Sequence, residues 1–428
     1  MRFTLALVLY RLVFFLLTPL LLVTLLLRSI SQQAYRQRLS ERLGILSKNF
    51  QPHGIVVHAA SVGEVIALKP FIAQLLSNYN HLPITVTTFT PTGSAQVQKL
   101  FGDKVQHCYL PLDNIFFTRL FLKRLKPKAM IFMETELWPN LIAQCKSHHS
   151  KLLLVNARLS DKSMTSYQKL AWLIRPTIQG FDKILTQSQI NQDNYLAMGA
   201  STEKCALSGN LKFDVTLSND LVAKQQALAR LITAKRKVWL VASTHPGDET
   251  LALAAFEQIK QQDSTALLII VPRHPERFEQ VTKLAQDAGN HVITRSQKQP
   301  VTLNTNVWVI DTLGELLPVC ALADVVTMGG SFSDIGGHNP LEPALFQKPV
   351  IVGPNMSNFK EILAQLFSAQ GILQLSKNDD MPKTLADAVL SLFKDHARAQ
   401  ALGSNSYKVV QENQGATQRS IAALQILM

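Results

Sequence analysis

What most limits the folds open to this chain is a recurring pattern of short, unbroken apolar runs rich in β-branched residues. In the first half they are GIVVHAA (54–60), ITVTTFT (84–90), AMIFMETE (129–136), KLLLVNAR (151–158), KILTQS (183–188) and CALSGN (205–210). In the second half they are VWLVAST (238–244), ALLIIVPRH (266–274), HVITRS (291–296), NVWVIDT (306–312), DVVTMGG (324–330) and PVIVGP (349–354). A strand with one wet face alternates apolar and polar residues. A run that is apolar throughout has both faces buried, as in a parallel sheet covered by helices. The runs recur about every 20–30 residues, leaving room for helical crossovers. Two such sets predict an α/β chain of two Rossmann-like, doubly wound domains facing a cleft. A polar, helical-looking stretch from about 215 to 236 forms the junction. The 428 residues accommodate two domains and one further element.

That element is N-terminal. Residues 3–27 read FTLALVLYRLVFFLLTPLLLVTLLL, about 37 Å as a helix against a hydrocarbon core of about 30 Å. Arg11 would cost about 2.5–3.5 kcal/mol at mid-membrane, and Pro19 would kink the helix. No small-residue cleavage site follows, so the segment reads as a retained anchor, spanning or lying in the interface, rather than a secretory signal. Arg28, Arg36, Arg38, Arg42 and Lys48 come next, against Glu41 alone. By the positive-inside rule the body then lies in the cytoplasm, and the basic run can meet anionic head groups. The predicted division is 1–27 as membrane anchor, 28–214 as the first Rossmann-like domain and 215–428 as the second, with the last helix free to cross back to the first domain.

Charge separates the halves. Residues 1–220 carry 24 Lys+Arg against 12 Asp+Glu, and residues 221–428 carry 19 against 18. A basic first half suits an anionic partner, whether nucleic acid or a lipid surface, or serves solubility alone. Cys108, Cys145, Cys205 and Cys320 form no C-x-x-C pair. Scattered thiols without a framework fit a reducing compartment. No H-E-x-x-H or EF-hand pattern supports a metal site. No G-x-G-x-x-G opens either half, which argues against NAD or FAD, and the P-loop signature G-x-x-x-x-G-K-[ST] does not occur.

In open α/β sheets, ligands gather beyond the carboxyl ends of the strands. After GIVVHAA comes SVGEV, where Ser61 suits an N-cap and Glu64 falls in the first helical turn. Glu64 is then either a capping carboxylate that favours the helix dipole or a general base. PTGSAQV (91–97) opens a helix whose N–H groups suit an anion. Glu134 and Glu136 close the third run; at period two they share a face and would repel unless solvated or paired, for example with Arg158. In GNLKFD (209–214), Lys212 is either a surface lysine or a counter-charge. In the second half VPRHPERF carries Arg273 and Arg277, which suit phosphate unless they are merely solvated. DTLGEL brings Gly314 and Glu315 to a helix start. MGGSFSDIGGHNPLEPA (328–344) is the sharpest signal: Gly336-Gly337 precede a helix expected to open at Asn339 (N-cap) and Pro340 (N1), making an anion site with Glu342 set to accept hydrogen bonds from ribose hydroxyls.

Taken together, HAASVGEV, TVTTFTPTGS, METELWPN, NARLS, GNLKFD, STHPGDE, VPRHPERF, DTLGEL and GGHNPLEP, in this order from the anchor almost to the C-terminus, resemble the 3-deoxy-D-manno-octulosonic acid (Kdo) transferases of lipopolysaccharide synthesis. The resemblance implies a GT-B fold and an inverting, metal-independent transfer without a cofactor. It implies CMP-Kdo as donor and the lipid A precursor, an anionic glycolipid of the bacterial inner membrane, as acceptor. It further implies Glu64 as the base, with Glu134 and Lys212 assisting the transition state. CMP contacts carry over to Pro272, Arg273, Leu313, Gly314, Glu315, Asn339, Pro340, Leu341 and Glu342. Two other readings remain at this level. One is a different membrane-associated nucleotide-sugar transferase or an epimerase, though an epimerase needs no anchor. The other is a basic, non-enzymatic membrane scaffold for nucleic acid, which leaves the strand-end Glu, Lys and Arg set without a purpose.

Overall fold

The apolar runs become strands because no other element lets both faces of so short a segment be buried. In a computed structural model of the chain, which describes residues 2–214 and 219–428, they assemble into two units. One comprises residues up to Asp214 together with Asn413–Met428; the other ends at Glu412. Residues 215–218, which open the predicted second domain and its junction, lie outside the described residues.

Among the described residues the first unit holds one seven-stranded parallel sheet. Its strands are β1 (Ile55–His58), β2 (Ile84–Thr88), β3 (Gln106–Tyr109), β4 (Ala129–Met133), β5 (Lys151–Ala157), β6 (Lys183–Thr186) and β7 (Cys205–Leu207), in the order β3-β2-β1-β4-β5-β6-β7. Side chains alternate between two cores. Ile55, Val57, Leu153 and Val155 enter one with Leu68 and Phe71. Val56, Leu152 and Leu154 enter the other with Phe121 and Phe181. Strand order reverses between β1 and β4, the switch point where α/β sheets bind ligands. The C-terminal helix Ala416–Leu427 belongs to this unit, adding Ile421 and Leu424 to the first core.

The second unit repeats the plan with β8 (Val238–Thr244), β9 (Leu267–Pro272), β10 (Val292–Thr294), β11 (Val307–Val309), β12 (Val325–Met328), β13 (Val350–Val352) and β14 (Leu373–Gln374). These are parallel and ordered β10-β11-β9-β8-β12-β13-β14, so its switch point lies between β8 and β12. The expected architecture of two parallel-sheet α/β domains is thus borne out. Two strands carried no sequence signal. β3 reads QHCY, an edge strand buried at only half its positions, and β14 has two residues.

The N-terminal helix is unbroken from Arg2 to Ser31, with Pro19 inside it. Leu5–Ile30 is long and apolar enough to cross a membrane, and most of it is exposed. One stripe is not: Leu7, Thr18, Leu25 and Ser29 are buried at near-heptad spacing. This stripe packs on the first unit through polar contacts. The Tyr10 hydroxyl donates to Asp113 Oδ2 (2.9 Å), Arg11 Nε to Asn140 Oδ1 (3.0 Å), and Asn114 Nδ2 to Thr18 Oγ1 (3.2 Å). Arg11, costly if lipid-facing, therefore turns inward to an amide oxygen.

Candidate active-site residues

In the first unit the site is built at the switch point. β1 ends at His58, and the chain turns through Ala59-Ala60 into the helix Val62–Ala67, whose N-cap is Ser61. Glu64 N donates to Ser61 Oγ (3.4 Å), the Ser61 hydroxyl donates back to Glu64 Oε1 (2.7 Å), and Ala60 N donates to Oε2 (2.8 Å). This is a reciprocal cap. It does not exhaust the carboxyl, whose pKa is pushed up to about 7 by burial and then by the charge on Glu134, with Glu136 adding a smaller push. Hydrogen bonds from Ser61 and Ala60 pull the other way without prevailing. A carboxyl that changes charge near neutral pH can take a proton from an attacking hydroxyl.

Glu134 and Glu136 do not sit on a strand. β4 stops at Met133, and Glu134 adopts a left-handed backbone (φ 58°), so the period-two argument for a shared face does not apply. Backbone bonds fix this turn: Glu134 N donates to Val155 O (3.1 Å) and Arg158 N to Glu134 O (3.4 Å). Glu136 pairs with buried His58 (Nε2–Oε2 3.3 Å) and accepts from Trp138 Nε1 (2.8 Å). Burial favours its neutral form, but these two partners outweigh that and hold its pKa below the usual value. Trp138 in turn stacks on Phe89, with centroids 5.9 Å apart. Lys212 lies beyond β7 on the turn Leu211–Phe213. That turn is fixed by Asn156 Oδ1, which accepts from Leu211 N (2.9 Å), and by Asp214, whose Oδ1 accepts from Gly415 N (2.7 Å) at the C-terminal helix.

In the second unit the loops after β8, β9 and β12 converge. Asp248 Oδ2 accepts from His245 N (2.9 Å) and Gly330 N (2.7 Å), tying the β8 and β12 turns together. Pro272 ends β9, and the exposed Arg273 follows; its charge acts on His245, His338 and Glu342. Arg277 is not available for phosphate as expected, because it is committed to the buried Glu249 (Nη1–Oε1 2.6 Å, Nη2–Oε2 3.3 Å). Leu313 is exposed, Gly314 has φ 81°, and Glu315 immediately precedes the helix Leu316–Cys320 without a side-chain capping bond. The Glu315 carboxylate bonds Arg295 Nη2 (3.1 Å) and the Thr312 hydroxyl.

The GGHNPLEP helix opens one residue later than predicted. It spans only Leu341–Ala344 with Pro340 as N-cap, while Asn339 Oδ1 accepts from Leu341 N (3.2 Å). Gly336 and Gly337 have φ 93° and 77°. A Cβ at Gly329 would meet Ser243 O at 2.6 Å, so β12 leaves the sheet in close contact with β8. Burial raises the Glu342 carboxyl to about 7, against the pull of Arg273.

His58, Trp138, Asp248, Arg295, His245 and His338 were not singled out from sequence. The two histidines lie inside quoted motifs, but 93 residues apart, with nothing in the sequence to say they meet. Among the described residues no group of three or more His, Cys, Asp or Glu is arranged to hold a metal.

Residues 37–215 match the family model of 3-deoxy-D-manno-octulosonic-acid transferase (kdotransferase). A 3-deoxy-D-manno-octulosonic acid transferase of Haemophilus influenzae is 40% identical over 408 residues, covering 95% of each chain. Two solved structures share the fold alone. The UDP-GlcNAc 2-epimerase of Neisseria meningitidis bound to UDP-GlcNAc has a TM-score of 0.56 at 15% identity, covering 87% of this chain and 99% of that one. A glycosyltransferase of Rickettsia africae has a TM-score of 0.55 at 13% identity, covering 88% and 98%. The likeness in sequence over nearly the whole length settles the family: the chain is an enzyme of the 3-deoxy-D-manno-octulosonic acid transferase family.

Proposed function

We propose that the enzyme moves Kdo from CMP-Kdo to the lipid A precursor with inversion at the anomeric carbon and without a metal ion, Glu64 acting as general base. The observation that carries this reading is the Glu64 carboxyl. It is fixed in orientation by Ser61 and Ala60, yet its pKa lies near 7. Glu64 takes the proton of the acceptor hydroxyl as that oxygen attacks, and CMP leaves from the opposite face. Glu134 and Lys212 assist the charge that develops in the transition state. Pro272, Arg273, Leu313, Gly314, Glu315, Asn339, Pro340, Leu341 and Glu342 hold the nucleotide: Arg273 meets its phosphate and Glu342 its ribose hydroxyls. The acceptor stays in the inner membrane, the enzyme is anchored there by its N-terminal helix, and the catalytic units face the cytoplasm. The basic first half suits an acceptor carrying phosphates.

The test incubates membranes bearing the enzyme with CMP-Kdo and lipid A precursor, and weighs the products by mass spectrometry. Glu64→Ala is expected to slow transfer by about 10²–10⁴-fold with CMP affinity unchanged, and EDTA to leave the parent rate intact. Transfer by Glu64→Ala at near the parental rate removes Glu64 as base. A loss with EDTA that added divalent cation restores removes metal independence.

A further inference from the structure

The histidines of STHPGDE and GGHNPLEP meet where the second sheet reverses its strand order. His245 Nε2 lies 2.8 Å from His338 Nε2, and the rings are within 6° of parallel with centroids 5.0 Å apart. At that separation the rings lie edge to edge along one N···N line rather than face to face. One nitrogen must carry the hydrogen and the other accept it. A third ring, His274, stands edge-on to His245 at 5.2 Å. Close by, Thr244 Oγ1 and Asp248 Oδ1 are buried without a hydrogen-bond partner.

We propose that His245 and His338 work as a single proton-accepting pair that fastens the nucleotide phosphate by taking up a proton as the phosphate binds. The proposal rests on the reading of this unit as the nucleotide site. Because the two Nε2 atoms serve each other, only the Nδ1 atoms are left for a ligand. A neutral pair offers one Nδ1–H donor and one bare Nδ1, whose lone pair repels an anion. One added proton turns the bare Nδ1 into a second donor and leaves the bridge as an imidazolium–imidazole bond, which is charge-assisted. No other bond changes.

Without ligand the pair is held neutral. Burial, then Arg273, His245 and His274, depress His338 to about 3. Burial, then His274 and Arg273, lower His245, with Arg277 adding a smaller push and Glu249 opposing. Glu249 is already engaged with Arg277, and Asp248 with two backbone N–H groups. A phosphate beside Arg273 cancels the cationic repulsion that keeps the proton off. A pair that merely buttresses the two turns would bind no proton.

Titration calorimetry of the full-length protein in detergent decides between these roles. Cytidine 5′-methyl phosphate is the probe, since a phosphodiester exchanges no proton near neutral pH. The binding heat is measured at one pH in two buffers of different ionisation enthalpy. Wild type is expected to take up as much as about one proton, and its affinity to weaken by up to about tenfold per pH unit on raising pH. His338→Gln, which keeps an N–H and an acceptor but does not titrate, is expected to bind with no proton uptake and a flat pH profile. Binding without proton uptake by wild type overturns the pair and leaves the nucleotide site standing. So does equal uptake by wild type and His338→Gln. Failure of wild type to bind either this diester or CMP overturns the nucleotide-site reading and the pair with it. If His338→Gln does not fold, His245→Gln takes its place, with the same expected loss of proton uptake and the same overturning result.

Discussion

Glu64 shows how one residue answers to two demands. Its carboxylate completes a helix cap, a role that any acid at that position fills, and its burial beside Glu134 lifts its pKa to about 7. The neighbours set the sign of any change. A general base works ionised, so activity should rise with pH through that value. Glu134→Gln removes a charge that raises it, so the acidic limb of the pH–rate profile should move to lower pH. Ser61→Ala removes a hydrogen bond that lowers it, so the limb should move to higher pH, with about 1 kcal/mol of stability lost with the cap. Profiles that coincide with the parent's in both variants would exclude Glu64 as the titrating group. At this scale the sequence was legible where roles are local. Ser61 and Glu64 are three residues apart and announce their cap. It was not legible where the partner is distant: His58 with Glu136, Arg295 with Glu315, and His245 with His338 are joined by the fold alone.

At the scale of elements, strand signals were clear where both faces are buried and absent where they are not. The twelve apolar runs all became strands, while β3, at a sheet edge, keeps Gln106 and His107 half-exposed. The end of β4 was misjudged because the apolar run AMIFM passes into Glu134 without a glycine or proline to mark the turn. The GGHNPLEP helix was placed one residue early because Asn-Pro looks like a start signal; the chain makes one turn there. What the glycines there provide is proximity. Gly329→Ala would push a Cβ into Ser243 O and Thr244 Cα, both backbone, so β8 and β12 must part. The expected cost is about 1–3 kcal/mol, read as a lower melting temperature with weaker CMP binding. Unchanged melting and binding would show that the two strand ends have room to spare.

For the molecule as a whole, the N-terminal helix is long and apolar enough to cross a membrane, and it is also part of the first unit. Its Tyr10, Arg11 and Thr18 are fastened to Asp113, Asn140 and Asn114, and most of Leu5–Ile30 is exposed. The double variant Tyr10→Phe, Arg11→Leu should leave the protein in the membrane fraction, since the helix only becomes more apolar. It should loosen the helix from the first unit by about 1–3 kcal/mol, seen as faster protease cleavage after Arg28. Cleavage at the parental rate would mean that apolar packing alone holds the helix in place.

The helix Ala416–Leu427 carries a consequence for how the protein is made. Ile421 and Leu424 fill the core of the first unit, and Asp214 is bonded to Gly415 and Thr417. On the ribosome, residues 1–214 emerge early, yet their hydrophobic centre lacks these side chains until more than 200 further residues have been translated. The half of the enzyme that is synthesised first is therefore the half completed last. Until then its open apolar seam is exposed to aggregation unless a chaperone shelters it.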